Sequence, residues 1–327
     1  MLTCLTRIES WQMREPFEIS REVIACVRVL YVELRDARGH RGVAEAAGVD
    51  YDGETPERLV QQVEAVAGDL RDDLSGTDLL RLLPAGGARN ALDCALWDLR
   101  AKQSGRPAWQ LAGLRGMAPV LTDYTVGLGN EATTRRKARD AREYRLLKVK
   151  VDAVRHVDQV RMVKEEHPGA RVIVDANQAW DRGLLERLLP ALHDLGVELI
   201  EQPVPRGDDA SLEGLESPVP LAADESCTGR GSLAALAGRY RYVNIKLDKC
   251  GGLTEALAMV PRARALGLGL MVGNMCGTSL AMAPAFLLAQ HCEYVDLDGP
   301  LLQVRDREPA MVYRHGRVEP PRPELWG

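Results

Sequence analysis

Nowhere in this chain of 327 residues does an apolar run approach the roughly 18 residues of a membrane-spanning helix. The opening Met1-Leu2-Thr3-Cys4-Leu5-Thr6-Arg7 lacks the basic start and long apolar stretch of a secretory signal, so a cytoplasmic protein without a membrane partner is expected. The seven cysteines (Cys4, Cys26, Cys94, Cys227, Cys250, Cys276, Cys292) contain no C-x-x-C pair and are odd in number. That argues against a disulfide scaffold or a cysteine zinc site and fits free thiols in a reducing compartment. The six histidines are scattered and form no H-E-x-x-H, which makes histidine-based metal chemistry a poor fit. An excess of basic charge is missing as well: the formal net charge is −5, which speaks against a nucleic-acid partner. The run Arg135-Arg136-Lys137-Ala138-Arg139 then reads as a solvated helix face.

What is present is enough apolar material, 46% of residues, for one large domain and a smaller one. The expected division is an α+β region over 1–115 and a second region over 116–302, with the tail 303–327 packing back. In the first region Thr3–Trp11 and Val23–Leu34 are rich in β-branched and aliphatic residues. Asp36-Ala37-Arg38-Gly39 is turn chemistry and predicts a hairpin. Thr55-Pro56-Glu57 opens a helix, because threonine caps and proline suits a first turn. A second helix is expected from Arg89 to Lys102, its apolar residues at helical spacing, stopped by Gly105-Arg106-Pro107.

From about residue 118 short apolar runs alternate with helical stretches: Pro119–Val126, Arg145–Val151, Arg171–Asp175, Val197–Glu201, Val219–Asp224, Tyr242–Lys246, Leu268–Gly273 and Tyr294–Asp298. Continuous apolar strands between helices indicate a parallel sheet. Eight such units predict an α/β fold with a closed (β/α)₈ barrel, the open doubly wound sheet being the alternative. No G-x-G-x-x-G follows the first strand, which weakens that alternative.

Charged residues fall at the ends of these strands: Lys148 and Lys150, Asp175, Glu201, Asp224, Lys246, then Asp296 and Asp298. Barrel strands present their C-terminal ends on one face, where catalysis sits. Any one aspartate there reads as a helix cap, but a succession of them does not. In Leu146-Leu147-Lys148-Val149-Lys150-Val151 the alternation turns both lysines to one face, the barrel interior. Asp175, Glu201 and Asp224 lie on three consecutive strands and would repel without a cation between them. A hard divalent ion such as Mg²⁺ resolves this. Glu225 is expected to point outward and Lys249 to lie in the following loop. Lys150 and Lys246, on the second and sixth of eight strands, should face each other across the mouth. Two opposed amines beside a metal suit removal and return of a proton next to a carboxylate, with lysine pKa values lowered by burial and neighbouring positive charge.

Lys148-Val149-Lys150, Asp175-Ala176-Asn177-Gln178, Glu201-Gln202-Pro203, Ala223-Asp224-Glu225-Ser226 and Asn244-Ile245-Lys246 together resemble the motifs of the enolase superfamily, in its muconate-lactonizing subgroup. The likeness covers nearly the whole chain, including an N-terminal capping domain. Asp296-Leu297-Asp298-Gly299-Pro300 is most similar to the dipeptide epimerases of that subgroup. The resemblance implies one Mg²⁺ per subunit, with Mn²⁺ as a substitute, on Asp175, Glu201 and Asp224. It makes Lys150 and Lys246 the acid/base pair. Substrate would be held by Thr125, Lys148, Asn274, Cys276 and the Asp296/Asp298 pair, which takes the α-ammonium, with Arg21 reaching a distal carboxylate. It further implies a small-molecule substrate and a homo-oligomer. Within the subgroup an N-acyl amino acid racemase and an o-succinylbenzoate synthase or cycloisomerase stay open, and outside it a non-catalytic metal- or ligand-binding protein.

Overall fold

The alternation of half-buried and exposed residues from Thr3 builds a long strand, β1 (Thr3–Glu18), antiparallel to β2 (Val23–Arg35), which continues through the Asp36–His40 turn into β3 (Arg41–Ala46). Asp36 closes that turn by accepting the backbone N–H groups of Arg38 and His40, both at 2.9 Å. The structure is a computed structural model and describes residues 1–19 and 23–327. Helices α1 (Pro56–Ala65), α2 (Gly76–Leu82), α3 (Gly87–Ser104) and α4 (Ala108–Leu111) follow. Thr55 caps α1 with its side chain on the Arg58 N–H, as the threonine–proline start predicts.

Helix α3 is the hinge-pin of the molecule, buried along most of its length. Its contact with β3 is so close that a Cβ on Gly42 would stand 2.2 Å from the Ala95 carbonyl, so only glycine fits. On its other side Arg89 donates to the carbonyls of Gly251 (3.0 Å) and Cys250 (2.6 Å), and Asp93 accepts the Thr254 N–H (2.8 Å) and hydroxyl (2.6 Å).

The second half is an eight-stranded parallel sheet in chain order, preceded by a short strand β4 (Val120–Leu121). The eight are β5 (Tyr124–Val126), β6 (Leu146–Lys150), β7 (Arg171–Asp175), β8 (Val197–Glu201), β9 (Leu221–Ala223), β10 (Tyr242–Ile245), β11 (Gly269–Val272) and β12 (Tyr294–Val295). Helices α5 (Glu131–Asp140), α6 (Val157–Glu166), α7 (Arg182–Asp194), α8 (Leu233–Leu236), α9 (Leu247–Cys250), α10 (Leu253–Ala265) and α11 (Ser279–Ala289) lie between them. The seam between last and first strands is drawn together by the Asp123 N–H on the Val295 carbonyl (2.9 Å) and the Leu297 N–H on the Thr122 hydroxyl (3.0 Å).

The expected first strand, Pro119–Val126, is divided. Its start, β4, leaves the barrel to pair with the tail hairpin β13 (Tyr313–Arg314) and β14 (Arg317–Val318). The tail then reaches α3, where the Trp326 indole N–H donates to the Cys94 carbonyl at 3.0 Å. No helix among the described residues is long and apolar enough to cross a membrane.

Candidate active site

Strand register fixes what meets at the barrel mouth. Lys150 lies beside Asp175 and Asp175 beside Glu201, whereas Glu201 lies beside Ala222, so Asp224 stands two residues further along its strand direction. Alternation turns Lys148, Lys150, Asp175, Glu201 and Asp224 inward, and all are buried. Lys148 Nζ touches three carboxylates: Glu201 and Asp296 at 2.8 Å and Asp175 at 3.1 Å. Lys150 Nζ lies 2.6 Å from Asp175 Oδ2 and 3.0 Å from Asn177 Oδ1. Across the ring, Lys246 Nζ lies 2.8 Å from Asp224 Oδ2. In the strand order, three strands separate β6 from β10 either way round, so Lys150 and Lys246 come from opposite sides.

The Asp296/Asp298 pair follows β12. Asp296 receives the Asn274 side-chain amide at 3.0 Å, and Asp298 receives the backbone N–H of Thr125 at 2.7 Å. Asn274 Oδ1 also accepts the Cys276 N–H at 2.6 Å. A cavity of about 240 Å³ opens between cap and barrel, with Lys150, Lys246, Asn274 and Cys276 on its floor and Phe17, Ile19 and Tyr51 from the cap above. Arg21 lies outside the described residues.

Three expectations need correction. Glu225 points inward and is buried at 0% exposure, taking the Asn177 amide at 3.4 Å. The strand ends at Ala223; Asp224 still keeps the inward alternation set by Ala222, but Glu225 beyond it does not follow that pattern. Lys249 is in a buried helical turn, with its Nζ 2.5 Å from Asp224 Oδ1, because Lys246 caps α9 and residues three apart on a helix share a face. Without a cation in the site, the Lys246 pKa does not fall. Burial alone pulls the Lys246 ammonium down, but Asp224 beside it outweighs this and holds it above its ordinary value. Lys148 is raised likewise by Asp296, Glu201 and Asp175 against the same burial.

Charge balance explains the direction. Seven buried carboxylates (Asp123, Asp175, Glu201, Asp224, Glu225, Asp296, Asp298) face four buried lysines (Lys148, Lys150, Lys246, Lys249) at this end of the barrel. Glu201 feels the shortfall: burial, then Asp175, push its carboxyl up to about 8. Its Oε2 makes no hydrogen bond, although Lys148 stands near it. A buried, oxygen-only donor set short of positive charge fits a hard divalent cation on Asp175, Glu201 and Asp224. Their oxygens are not the most tightly gathered, however. Among the described residues, the one trio whose ligand atoms all lie within 4.8 Å is Asp123, Asp296 and Asp298.

Other participants went unassigned in the sequence. Gln202 Oε1 accepts the backbone N–H groups of Asp224 (2.9 Å) and Ser226 (3.1 Å), ordering the turn that carries Asp224. Asn244 donates to Glu201 Oε1 at 2.8 Å. Both sit inside quoted motifs, where alternation from Lys246 also makes Asn244 inward. Asp123 was legible in the same way, two residues before Thr125. Residues after β7, β8 and β11 carry a second signature. Asn177, Gln178, Gln202 and Cys276 have positive φ, and among the described residues His315 is the other non-glycine case. Such backbone costs about 1–3 kcal/mol each and gathers where function demands it.

Opposed lysines, clustered inward carboxylates and a capped mouth define a (β/α)₈-barrel enzyme built for acid–base chemistry. Residues 1–113 match the N-terminal domain of mandelate racemase / muconate lactonizing enzyme, and residues 131–324 match the enolase C-terminal domain-like family. The chain belongs to the mandelate racemase / muconate lactonizing enzyme family of the enolase superfamily. It is 42% identical to the L-Ala-D/L-Glu epimerase of Escherichia coli K12, over 95% of this chain and 97% of that one. It is 43% identical to an N-acetyl-D-glutamate racemase of Pseudoalteromonas over a shorter stretch, 77% and 79% of the two chains. An Agrobacterium tumefaciens enolase family member with homology to dipeptide epimerases, solved with sodium and L-Ala-L-Glu, superposes with a TM-score of 0.97 at 41% identity over the whole of both chains. The Methylococcus capsulatus dipeptide epimerase, solved with Mg and L-Arg-D-Lys, gives 0.92 at 33% identity over 99% of each. Like these relatives, the chain is an isomerase of the epimerase and racemase kind.

Proposed function

We propose that this protein is a Mg²⁺-dependent dipeptide epimerase of the L-Ala-D/L-Glu type, acting at the α-carbon of the C-terminal residue. The observation that carries the reading is the pair Lys150 and Lys246, on opposite sides of one barrel and each held against a buried carboxylate. One lysine removes the α-proton and the other returns a proton to the opposite face, through an enediolate of the substrate carboxylate. Lys148 binds that carboxylate, and Asp296 and Asp298 take the peptide's α-ammonium. Thr125, Asn274 and Cys276 shape the pocket around it. Asp175, Glu201 and Asp224 would hold Mg²⁺, which when bound supplies positive charge that offsets these carboxylates, eases the lysines toward their neutral forms and steadies negative charge on the substrate.

The cap excludes water from the mouth. Arg206, after β8, pairs with Asp52 of the cap at 2.5 Å, and Arg155, after β6, pairs with Glu18 at 2.9 Å. Arg21 is assigned to a distal carboxylate of the substrate. The residue ranges 1–115 and 116–302 serve as cap and catalytic barrel, the tail 303–327 bracing both. Seven free cysteines support cytoplasmic residence, and a homo-oligomer is the assembly we assign.

A second reading, racemisation of N-acyl amino acids, is favoured by the likeness to the N-acetyl-D-glutamate racemase. An acyl group carries no charge to match Asp296 and Asp298, which speaks for the dipeptide. The deciding experiment is incubation with Mg²⁺ in D₂O and a panel of L,L-dipeptides, following α-proton exchange by NMR. Exchange at the C-terminal residue, absent in Lys150→Ala and Lys246→Ala, supports the reading. No exchange with any dipeptide, but exchange with N-acetylated amino acids, replaces it with the second.

A further inference from the structure

Asp123 is completely buried, and neither of its carboxylate oxygens has a hydrogen-bond partner among the described residues. No lysine, arginine or histidine among them lies within ion-pair distance of it. A buried carboxyl group left without partners costs several kcal/mol unless something supplies them. What Asp123 faces is acidic too. It shares with Asp296 and Asp298 the trio of oxygens within 4.8 Å of one another.

The two other acids have partners. Asp296 has Lys148 and Asn274, and Asp298 has the Thr125 N–H. Asp123 is the member a ligand would satisfy. Three points no more than 4.8 Å apart can all be reached from one centre at about 2.8 Å or less, the length of an ammonium–carboxylate hydrogen bond. A primary ammonium has three N–H donors for the three acceptors, whereas Mg²⁺ demands oxygens at about 2.1 Å in a near-octahedral shell.

We propose that Asp123 completes, with Asp296 and Asp298, a three-carboxylate cage for the α-ammonium of the substrate, and that this third acid makes the enzyme select an unblocked amino terminus. The inference rests on the dipeptide reading above and adds a specificity-determining residue to it. The cage joins the proton-transfer site through Lys148, which touches Asp296 on one side and Asp175 and Glu201 on the other. An N-acylated ligand would bring no cation to this trio and would leave Asp123 and Asp298 without one, Asp296 keeping only Lys148.

The test compares L-Ala-L-Glu with N-acetyl-L-Ala-L-Glu in the Mg²⁺-loaded wild type and Asp123→Asn. Asparagine keeps the size and removes the charge. KM and calorimetric affinity for L-Ala-L-Glu should weaken about tenfold or more, with kcat within about threefold, because the lost contact is made equally in ground and transition states. Affinity for the N-acetyl dipeptide should stay level or improve, and the ligand-free variant should melt no lower than wild type, since a buried carboxyl group without partners is gone. Should Asp123→Asn fold poorly, Asp123→Ala is read by the same ratio of the two affinities. An unchanged ratio, or equal weakening of both ligands, overturns the cage. Wild type that exchanges no dipeptide fails the dipeptide reading itself, and the cage falls with it. A wild type active on dipeptides with an unaltered variant fails the cage alone.

Discussion

The two ends of one barrel are built from the same strands and could hardly differ more. At the bottom the inward residues are Leu146, Ile173, Leu199, Ala222, Met271 and Tyr294, packed into a closed apolar plug with Leu121 and Tyr242 against it. Two residues further along the same strands stand Lys148, Asp175, Glu201, Asp224 and Asp296. The backbone cannot distinguish the ends, since alternation serves both equally. The bottom end lowers free energy by removing apolar surface from water. The top end raises it by burying charge that only a ligand and a metal fully balance. Stability and function are thus separated by a few ångströms along each strand, and the strained backbone at Asn177, Gln178, Gln202 and Cys276 lies on the functional side.

The comparison can be broken most sharply at the lysines. Lys150→Ala or Lys246→Ala should lower α-proton exchange by about 10³-fold, and the ligand-free melting temperature should fall as well, because each change leaves a buried carboxylate without that partner; Mg²⁺ should restore much of the melting temperature but not the exchange. Exchange that recovers together with the melting temperature would refute the division. Chelation by EDTA should likewise abolish exchange, and Mg²⁺ should restore it.

At the other end the balance reverses. Leu199→Ala, in the middle of the plug, should cost about 3 kcal/mol in urea unfolding. Exchange per folded molecule should be nearly unchanged; loss of turnover in fully folded protein would show that the plug tunes the mouth.

A smaller effect separates stability from binding at the mouth itself. Burial, then Asp296, push the Asp298 carboxyl up to about 7. Its folded pKa is above the unfolded value, so the folded state takes up the proton first as pH falls. Ligand-free protein should therefore gain stability between pH 8 and 6, by a few degrees in thermal melts, while KM for the dipeptide rises over the same window. Asp298→Asn should flatten the KM trend and reduce the stability gain without removing it, since Glu201 and Asp248, raised by burial to about 8 and about 7, still take up protons in that window. Parallel movement of stability and affinity would contradict the contrast.

The smallest expected change is at the exposed rim of the bottom end. Arg171, at the start of β7, grips Glu198 with contacts of 2.7 and 2.9 Å, yet both side chains are partly solvated. Arg171→Ala should cost less than about 1 kcal/mol and leave kinetics alone, measurable by chemical denaturation.

Much of this is legible in the sequence. Eight apolar runs of similar length and a charged residue at nearly every run's end make a barrel with a charged mouth hard to avoid. Lys148 and Lys150 are readable because strand alternation is rigid at a spacing of two. Legibility fails where the strand stops. Glu225 lies two residues past β9 and turns inward with the chain, and Lys249 reaches Asp224 only because α9 begins at once after Lys246. The division of the first run into β4 and β5 was hidden for a related reason. Its partner, β14, lies nearly two hundred residues away, and nothing local records that pairing.

What the sequence determined by itself, then, is periodicity: which residues share a face, and so which lysines and carboxylates enter the barrel. The tertiary structure alone decided who touches whom across the ring. The protonation balance of Lys148 and Lys246 followed from that, as did the gathering of an unpartnered Asp123 with Asp296 and Asp298. The reason is physical. Facing is a property of the local backbone, whereas electrostatic energy depends on distances between strands, and those are set only when the barrel closes.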